Sequence, residues 1–209
     1  MKSRAYRIWR FFCAWFVHII LFTIPHGRKN EPAVSGGPYL LCSNHISASD
    51  PVMVCSAVKK QQPRYMAKKE IFSWPVVGKV VSWWGAYPVD RAGKDAGVIV
   101  KTVKMLEDGY SVGMFPQGTR RPGVDPETTP VRHGAGLILA KSKVQVLPVF
   151  IKTKNNRHRF LRPVHIYIGK PVQYDEYTEN GLYANDYAHI SEYVFSKVCE
   201  LGREHSGKR

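Results

Sequence analysis

Three short polar clusters carry the residue types that proton transfer and anion recognition require. The first is Asn44-His45-Ile46-Ser47-Ala48-Ser49-Asp50. A histidine with a carboxylate five residues on can form a base–orienter pair: the acid accepts from Nδ1–H and leaves Nε2 free to take a proton. Asp50 stands before Pro51, so the same carboxylate also reads as a helix N-cap with proline at the first helical position. A carboxylate has lone pairs for both roles. The second cluster, Gly85-Ala86-Tyr87-Pro88-Val89-Asp90-Arg91, places Arg91 at a strand end. The third is Phe115-Pro116-Gln117-Gly118-Thr119-Arg120-Arg121, in which glycine permits close backbone approach and arginine can grip a phosphate bidentately. No nucleotide-binding glycine motif accompanies them.

Each cluster follows a predicted strand. Strand-like runs are expected at Tyr39–Ser43, Arg64–Ala67, Tyr87–Val89, Tyr110–Phe115, Val144–Lys152 and Val164–Ile168. Helices are expected at Asp50–Lys59, at Ile71–Trp84 with a break at Pro75, and at Ala96–Glu107, His133–Lys143 and Tyr183–Leu201. This alternation predicts one α/β domain, residues 31–209, with a central, largely parallel mixed sheet flanked by helices. In such sheets chemistry gathers in the loops past the strand ends.

The first thirty residues differ. Their only formal charges are Lys2, Arg4, Arg7, Arg10, Arg28 and Lys29, flanking an apolar run from Phe11 to Ile24. A helix over that run extends about 21 Å, against a hydrocarbon core of roughly 30 Å. Residues 1–30 are therefore expected to form a membrane-associated helical segment that lies in or dips into one leaflet, stopped near Pro25-His26-Gly27-Arg28. The chain of 209 residues carries 31 Lys and Arg against 16 Asp and Glu, a formal charge of +15. Such a balance calls for an acidic partner: nucleic acid, anionic membrane, phosphorylated substrate or acidic carrier protein. The four cysteines form no C-x-x-C pair, which argues against a zinc ribbon or a disulfide scaffold.

Taken together, the blocks resemble those of the glycerolipid acyltransferases, specifically the 1-acyl-glycerol-3-phosphate (lysophosphatidic acid) acyltransferases. Asn44-His45 with Asp50 is similar to the family's N-H-x-x-x-x-D block, Gly85–Arg91 to the second, Phe115–Arg120 to F-P-E-G-T-R, and Val146-Leu147-Pro148-Val149 to the fourth. The resemblance spans about residues 34–170 and extends to Met66-Ala67-Lys68-Lys69-Glu70 and Gly134-Ala135-Gly136. One position departs: the family's third block usually has glutamate where this chain has Gln117. Glutamine keeps an acceptor, gains donors and loses the charge that could pair with Arg91 or Arg120.

The resemblance implies acyl transfer from a thioester to the sn-2 hydroxyl of 1-acyl-glycerol-3-phosphate, giving phosphatidic acid. His45 and Asp50 would be catalytic, and Arg120, Arg91, Gln117, Gly118, Thr119, Asn44 and Lys68 would bind substrate. Backbone N–H groups near Gly118 are candidates for stabilising the oxyanion, and Trp83, Trp84 and Tyr87 for lining an acyl groove. No cofactor or metal is implied. The donor is acyl carrier protein or coenzyme A thioester, the location the cytoplasmic face of the membrane, and nucleic acid is not an expected partner. Residues 128–174 contain nine Lys and Arg and no acid, a surface suited to anionic lipid, acyl carrier protein or coenzyme A phosphates. Alternatives are a family member acting on another lysolipid, a catalytically weak lipid-binding relative marked by Gln117, a nucleic-acid-binding module, or a thioesterase using Cys42. The last is disfavoured because strand positions three apart face opposite sides, separating Cys42 from His45.

Overall fold

Short apolar runs alternating with amphipathic stretches give seven strands in the computed structural model, which describes residues 19, 21–75, 77–83, 85–89 and 96–206. In chain order the described elements are β1 (Thr23–His26), β2 (Tyr39–Ser43), α1 (Asp50–Ala57), β3 (Arg64–Lys68), α2 (Lys69–Phe72), α3 (Val77–Trp83), β4 (Tyr87–Val89), α4 (Ala96–Glu107), β5 (Val112–Met114), α5 (Gly134–Ser142), β6 (Gln145–Lys152), β7 (Val164–Ile168), α6 (Tyr174–Tyr177) and α7 (Tyr187–Glu204). One sheet holds them in the order β1-β7-β6-β2-β5-β3-β4. All neighbours are parallel except β6 and β7. The expected single α/β domain with a largely parallel mixed sheet is what forms.

The central strand, β2, shows why the run Tyr39–Cys42 is apolar without alternation. It lies between β5 and β6 and is buried on both faces, as parallel sheets require. Leu40 and Cys42 face a core completed by Val103 and Leu106 of α4, Ile138 and Leu139 of α5, and Ile190, Val194 and Val198 of α7. Tyr39 and Leu41 face the other side, where Met53, Val54 and Ala57 of α1 cover them. Tyr87 belongs to the first core, 4% exposed, with its hydroxyl 2.8 Å from that of Thr102. It is a core residue, while the Trp83 and Trp84 side chains lie outside the described residues.

The parallel register sends the C-terminal ends of β2, β5, β3, β4 and β6 to one edge, so the loops carrying all three polar clusters leave from the same side. β7 runs back against β6, with Lys152 opposite His165. Its N-terminal end therefore also lies at that edge, level with Thr23. The apolar run predicts a helix through Ile24, yet Thr23–His26 is extended. β-branched Thr23 and Ile24 pair with the otherwise open flank of β7. Residues 1–18 and 20 lie outside the described residues, and with them most of that segment. No helix among the described residues is long and apolar enough to cross a membrane.

Both ends of the terminal helix also differ. The terminal helix begins at Tyr187 rather than Tyr183 because the Asp186 side chain accepts the His189 N–H at 2.9 Å, an N-cap four residues further on. It continues past Leu201 to Glu204.

Candidate active site

His45 leaves the end of β2, and α1 begins five residues later with Asp50. The backbone between them turns so that the Asp50 carboxylate points back into the loop. Its Oδ2 accepts from Ile46 N–H at 2.6 Å and Ser47 N–H at 2.8 Å, and lies 2.8 Å from His45 Nδ1. A carboxylate can only accept, so Nδ1 carries the proton and the Nε2 lone pair is available. Asp50 is fully buried, whereas the His45 side chain keeps 16% of its surface accessible. The helix takes Ser49 as its N-cap residue, with Pro51 in its first turn. The Asp50 side chain thus caps the 45–47 loop instead of its own helix.

The third cluster grips His45 from its other sides. Phe115, just past β5, stacks on the imidazole with ring centroids 3.9 Å apart and planes 11° from parallel. Tyr65 of β3 tilts against Phe115 at 5.5 Å, and the absence of a side chain at Gly113 makes room for the tyrosine ring. The His45 backbone is held twice: its N–H donates to Gln117 Oε1 at 2.7 Å, and its carbonyl accepts from Arg121 N–H at 2.8 Å. Gln117 Nε2 in turn donates to Thr129 Oγ1 at 2.7 Å, and that hydroxyl donates to Pro126 O at 2.6 Å. Imidazole plane, tautomer and backbone position are each fixed by a different contact.

Several expected substrate contacts prove to be braces. Gln117 is 2% exposed with both ends of its amide engaged, and no arginine among the described residues is its partner. Asn44 is fully buried: Nδ2 donates to Ile151 O at 3.0 Å and Oδ1 accepts from Ile151 N–H at 2.7 Å, continuing the β2–β6 ladder by one side chain. The Gly118 N–H is occupied by Phe115 O at 2.9 Å, which removes it as an oxyanion donor. That bond closes a turn with Gly118 at φ 70°, and a Cβ there would stand 2.8 Å from Arg132 Cγ, so glycine is required twice over.

Three candidates remain at the surface of the same edge. Thr119 and Arg120 are exposed, and Arg120 immediately precedes the residue bonded to the His45 carbonyl. Lys68 is exposed at the end of β3, two strands from β2 and so about 10 Å across the sheet. Arg91 lies outside the described residues; β4, which precedes it, ends at Val89, level with Lys68. Among the described residues no three His, Cys, Asp or Glu side chains converge as metal ligands. Cys42 is fully buried and its burial pushes the thiol well above its ordinary range, which leaves no thiolate for a thioesterase reaction.

Two contributors were invisible in the sequence. Thr129 sits in an irregular loop with no motif to mark it. Phe115 belongs to a recognised block, but nothing in its type tells that its ring lies on the imidazole.

Residues 25–152 match the family model described as Acyltransferase, and the chain belongs to that family. It is 28% identical over 185 residues to the 1-acyl-sn-glycerol-3-phosphate acyltransferase of Bacillus subtilis (strain 168), covering 86% of this chain and 85% of that protein. The protein of the same name from Streptococcus pneumoniae (strain ATCC BAA-255 / R6) is 34% identical over 116 residues, covering 53% of this chain and 40% of the relative. In fold, the chain is similar to the crystal structure of the 1-acyl-sn-glycerophosphate (LPA) acyltransferase, PlsC, from Thermotoga maritima. The TM-score is 0.72 at 20% identity, over 100% of this chain and 85% of that one.

Proposed function

We propose that the protein transfers an acyl chain from a thioester donor to the sn-2 hydroxyl of 1-acyl-glycerol-3-phosphate, producing phosphatidic acid. The observation that carries this reading is the His45–Asp50 contact of 2.8 Å, which leaves Nε2 as the proton acceptor at the sheet edge that also presents Arg120. The names of the relatives point to the same acceptor.

In the mechanism, His45 Nε2 takes the proton of the acceptor hydroxyl as its oxygen attacks the thioester carbonyl, and Asp50 stabilises the imidazolium that forms. The tetrahedral intermediate collapses with cleavage of the C–S bond, and the imidazolium returns its proton to the departing thiolate. The substrate supplies the nucleophile, so no acyl-enzyme is required. Arg120, with Arg91 and Lys68 as further cations, holds the acceptor phosphate and places its hydroxyl beside His45. The amides of Thr119 and Arg120 show no backbone partner among the described residues and become the candidate oxyanion donors in place of Gly118. The donor thiol is that of acyl carrier protein or coenzyme A, and the basic residues of 128–174 suit the phosphates of either.

The substrates are amphiphiles, and we assign the segment that precedes β1 to association with the cytoplasmic face of the membrane. β1 begins at the site edge, so the chain before Thr23 joins the domain on the side where lipid must enter.

Mass spectrometry of the products formed by purified protein from lysophosphatidic acid and each thioester donor tests the reading. Phosphatidic acid carrying the donor's acyl chain is expected, together with its loss in His45→Ala. Undiminished turnover in that variant would refute the mechanism.

A further inference from the structure

The connection from β6 to β7 leaves the sheet at the site edge and carries a feature the catalytic scheme does not use. Arg159 to Arg162 forms a turn closed by a bond of 3.2 Å from Arg162 N–H to Arg159 O. Its two central residues are Phe160, 72% exposed, and Leu161, 58% exposed. Leu161 stands at φ 57°, in the left-handed region that favours glycine or asparagine. A turn tip in contact with water has every reason to be polar, and this one presents an aromatic ring and a branched aliphatic chain on a strained backbone. Lys154, Arg157, Arg159 and Arg162 of the same connection line one hollow with Pro163 and Val164.

The connection that carries the turn is fastened to the catalytic loop. Gly123 N–H donates to Asn156 O at 2.7 Å, two residues past the Arg121 amide that holds the His45 carbonyl. On its other flank, Val164 N–H donates to Phe22 O at 2.9 Å, and Phe22 is itself 47% exposed at the start of β1. Exposed apolar side chains and a cluster of cations therefore share one side of the molecule with the site.

We propose that the Arg159–Arg162 turn is a membrane wedge: Phe160 and Leu161 enter the acyl region of an anionic leaflet while the cations of the same connection take lipid phosphates. Charge complementarity selects the occupant. Cations alone would suit any polyanion, but an apolar tip flanked by Arg159 and Arg162 and neighboured by Lys154 and Arg157 matches a surface with phosphates outside and hydrocarbon beneath. The contacts through Gly123 and Arg121 then fix the height of His45 above the interface. The inference rests on the membrane-associated reading above and adds a second, internal attachment to it.

The test places an environment-sensitive fluorophore on Leu161→Cys in a Cys13→Ser background of the full chain, because Cys42, Cys55 and Cys199 are buried. A matching probe goes on Leu182→Cys, 73% exposed but standing between Glu179 and Asp186. With vesicles of phosphatidylglycerol and phosphatidylcholine in equal parts, the probe at 161 is expected to shift to the blue and be quenched by brominated acyl chains. The probe at 182 should do neither. Phe160→Ser/Leu161→Ser should weaken partitioning at least about tenfold. Leu161→Gly, which suits the left-handed backbone, should do so in part without loss of thermal stability.

A probe at 161 that stays in water while the chain sediments with vesicles overturns the proposal, as does a chain that does not bind them. A response to an acidic carrier protein but not to lipid overturns it equally. Turnover of a short-chain, monomeric acceptor should be unchanged in the double-serine variant. Absence of acyl transfer in the unaltered chain would count against the proposed reaction and leave the insertion result standing.

Discussion

The side-chain carbonyl of Gln117 accepts the backbone N–H of His45 at 2.7 Å, so the residue that departs from the family's usual glutamate lies beneath the imidazole-bearing backbone. Its other end donates to Thr129, whose single proton is committed to Pro126 O. The order of donors suits an amide. A carboxylate at 117 would accept from His45 equally well but would need the Thr129 hydroxyl to turn away from Pro126.

Gln117→Glu is therefore expected to fold, with Thr129 rotated and activity retained. Gln117→Leu leaves the buried His45 N–H without an acceptor, which costs about 1–3 kcal/mol. It also frees the backbone that aims the ring, and turnover should fall at least about tenfold. Thermal melts and kcat for the two variants check this, and a dead Gln117→Glu would show that the neutral amide is itself required.

Asp50→Asn replaces an oxygen that receives three donors with a group that can present one carbonyl oxygen or an NH2. If the carbonyl serves Ile46 and Ser47, the amide still cannot take up the positive charge that develops on His45. Turnover should drop by about 10²–10⁴, with a much smaller change in KM for the acceptor. Equal losses in both parameters would contradict the assigned role.

Glu31 carries a structural load at the opposite side of β2. This 2% exposed carboxylate accepts from Tyr39 OH and from the N–H groups of Lys59, Lys60 and Gln61, at 2.7 to 3.2 Å. Glu31→Ala strands three backbone donors where α1 gives way to its loop. A cost of about 3 kcal/mol is expected, or a fall in Tm of about 6–12 °C.

A pH effect on stability should arise at β1 and β7. His26 Nε2 lies 3.0 Å from His165 Nδ1. Burial lowers the pKa of both below 6.5, helped at His26 by nearby His205 and at His165 by His26 and Lys152. The folded chain thus binds fewer protons than the unfolded chain just below pH 6.5, so stability is lost as pH falls from 6.5 toward the depressed values. Tm measured from pH 7.5 to 5.5 should decline, and His165→Gln should flatten that slope. An unchanged slope would show that the pair titrates alike in both states.

Much of this architecture can be read in the sequence because it is decided locally. The run Tyr39–Ser43 is apolar at every position, as a doubly covered strand must be, and the 3.6-residue spacing of Ile190, Val194 and Val198 marks the buried face of α7. His45 and Asp50 are five residues apart, so one loop and the first turn of one helix bring them together whatever the rest of the chain does. Pro51 and the cap before it set where that turn starts.

What the tertiary structure alone decided concerns buried polar groups and the strands that meet them. Asn44 and Gln117 look like substrate contacts in a motif, yet Asn44 spends its amide on the backbone of Ile151 and Gln117 spends its own on the His45 N–H and the Thr129 hydroxyl. β1 exists because β7 has a free flank to offer, which β-branched Thr23 and Ile24 suit but cannot announce by themselves. Periodicity and capping are written in neighbouring residues. The partner of a buried donor is chosen by whichever segment the sheet order brings alongside, and that order is a property of the assembled chain.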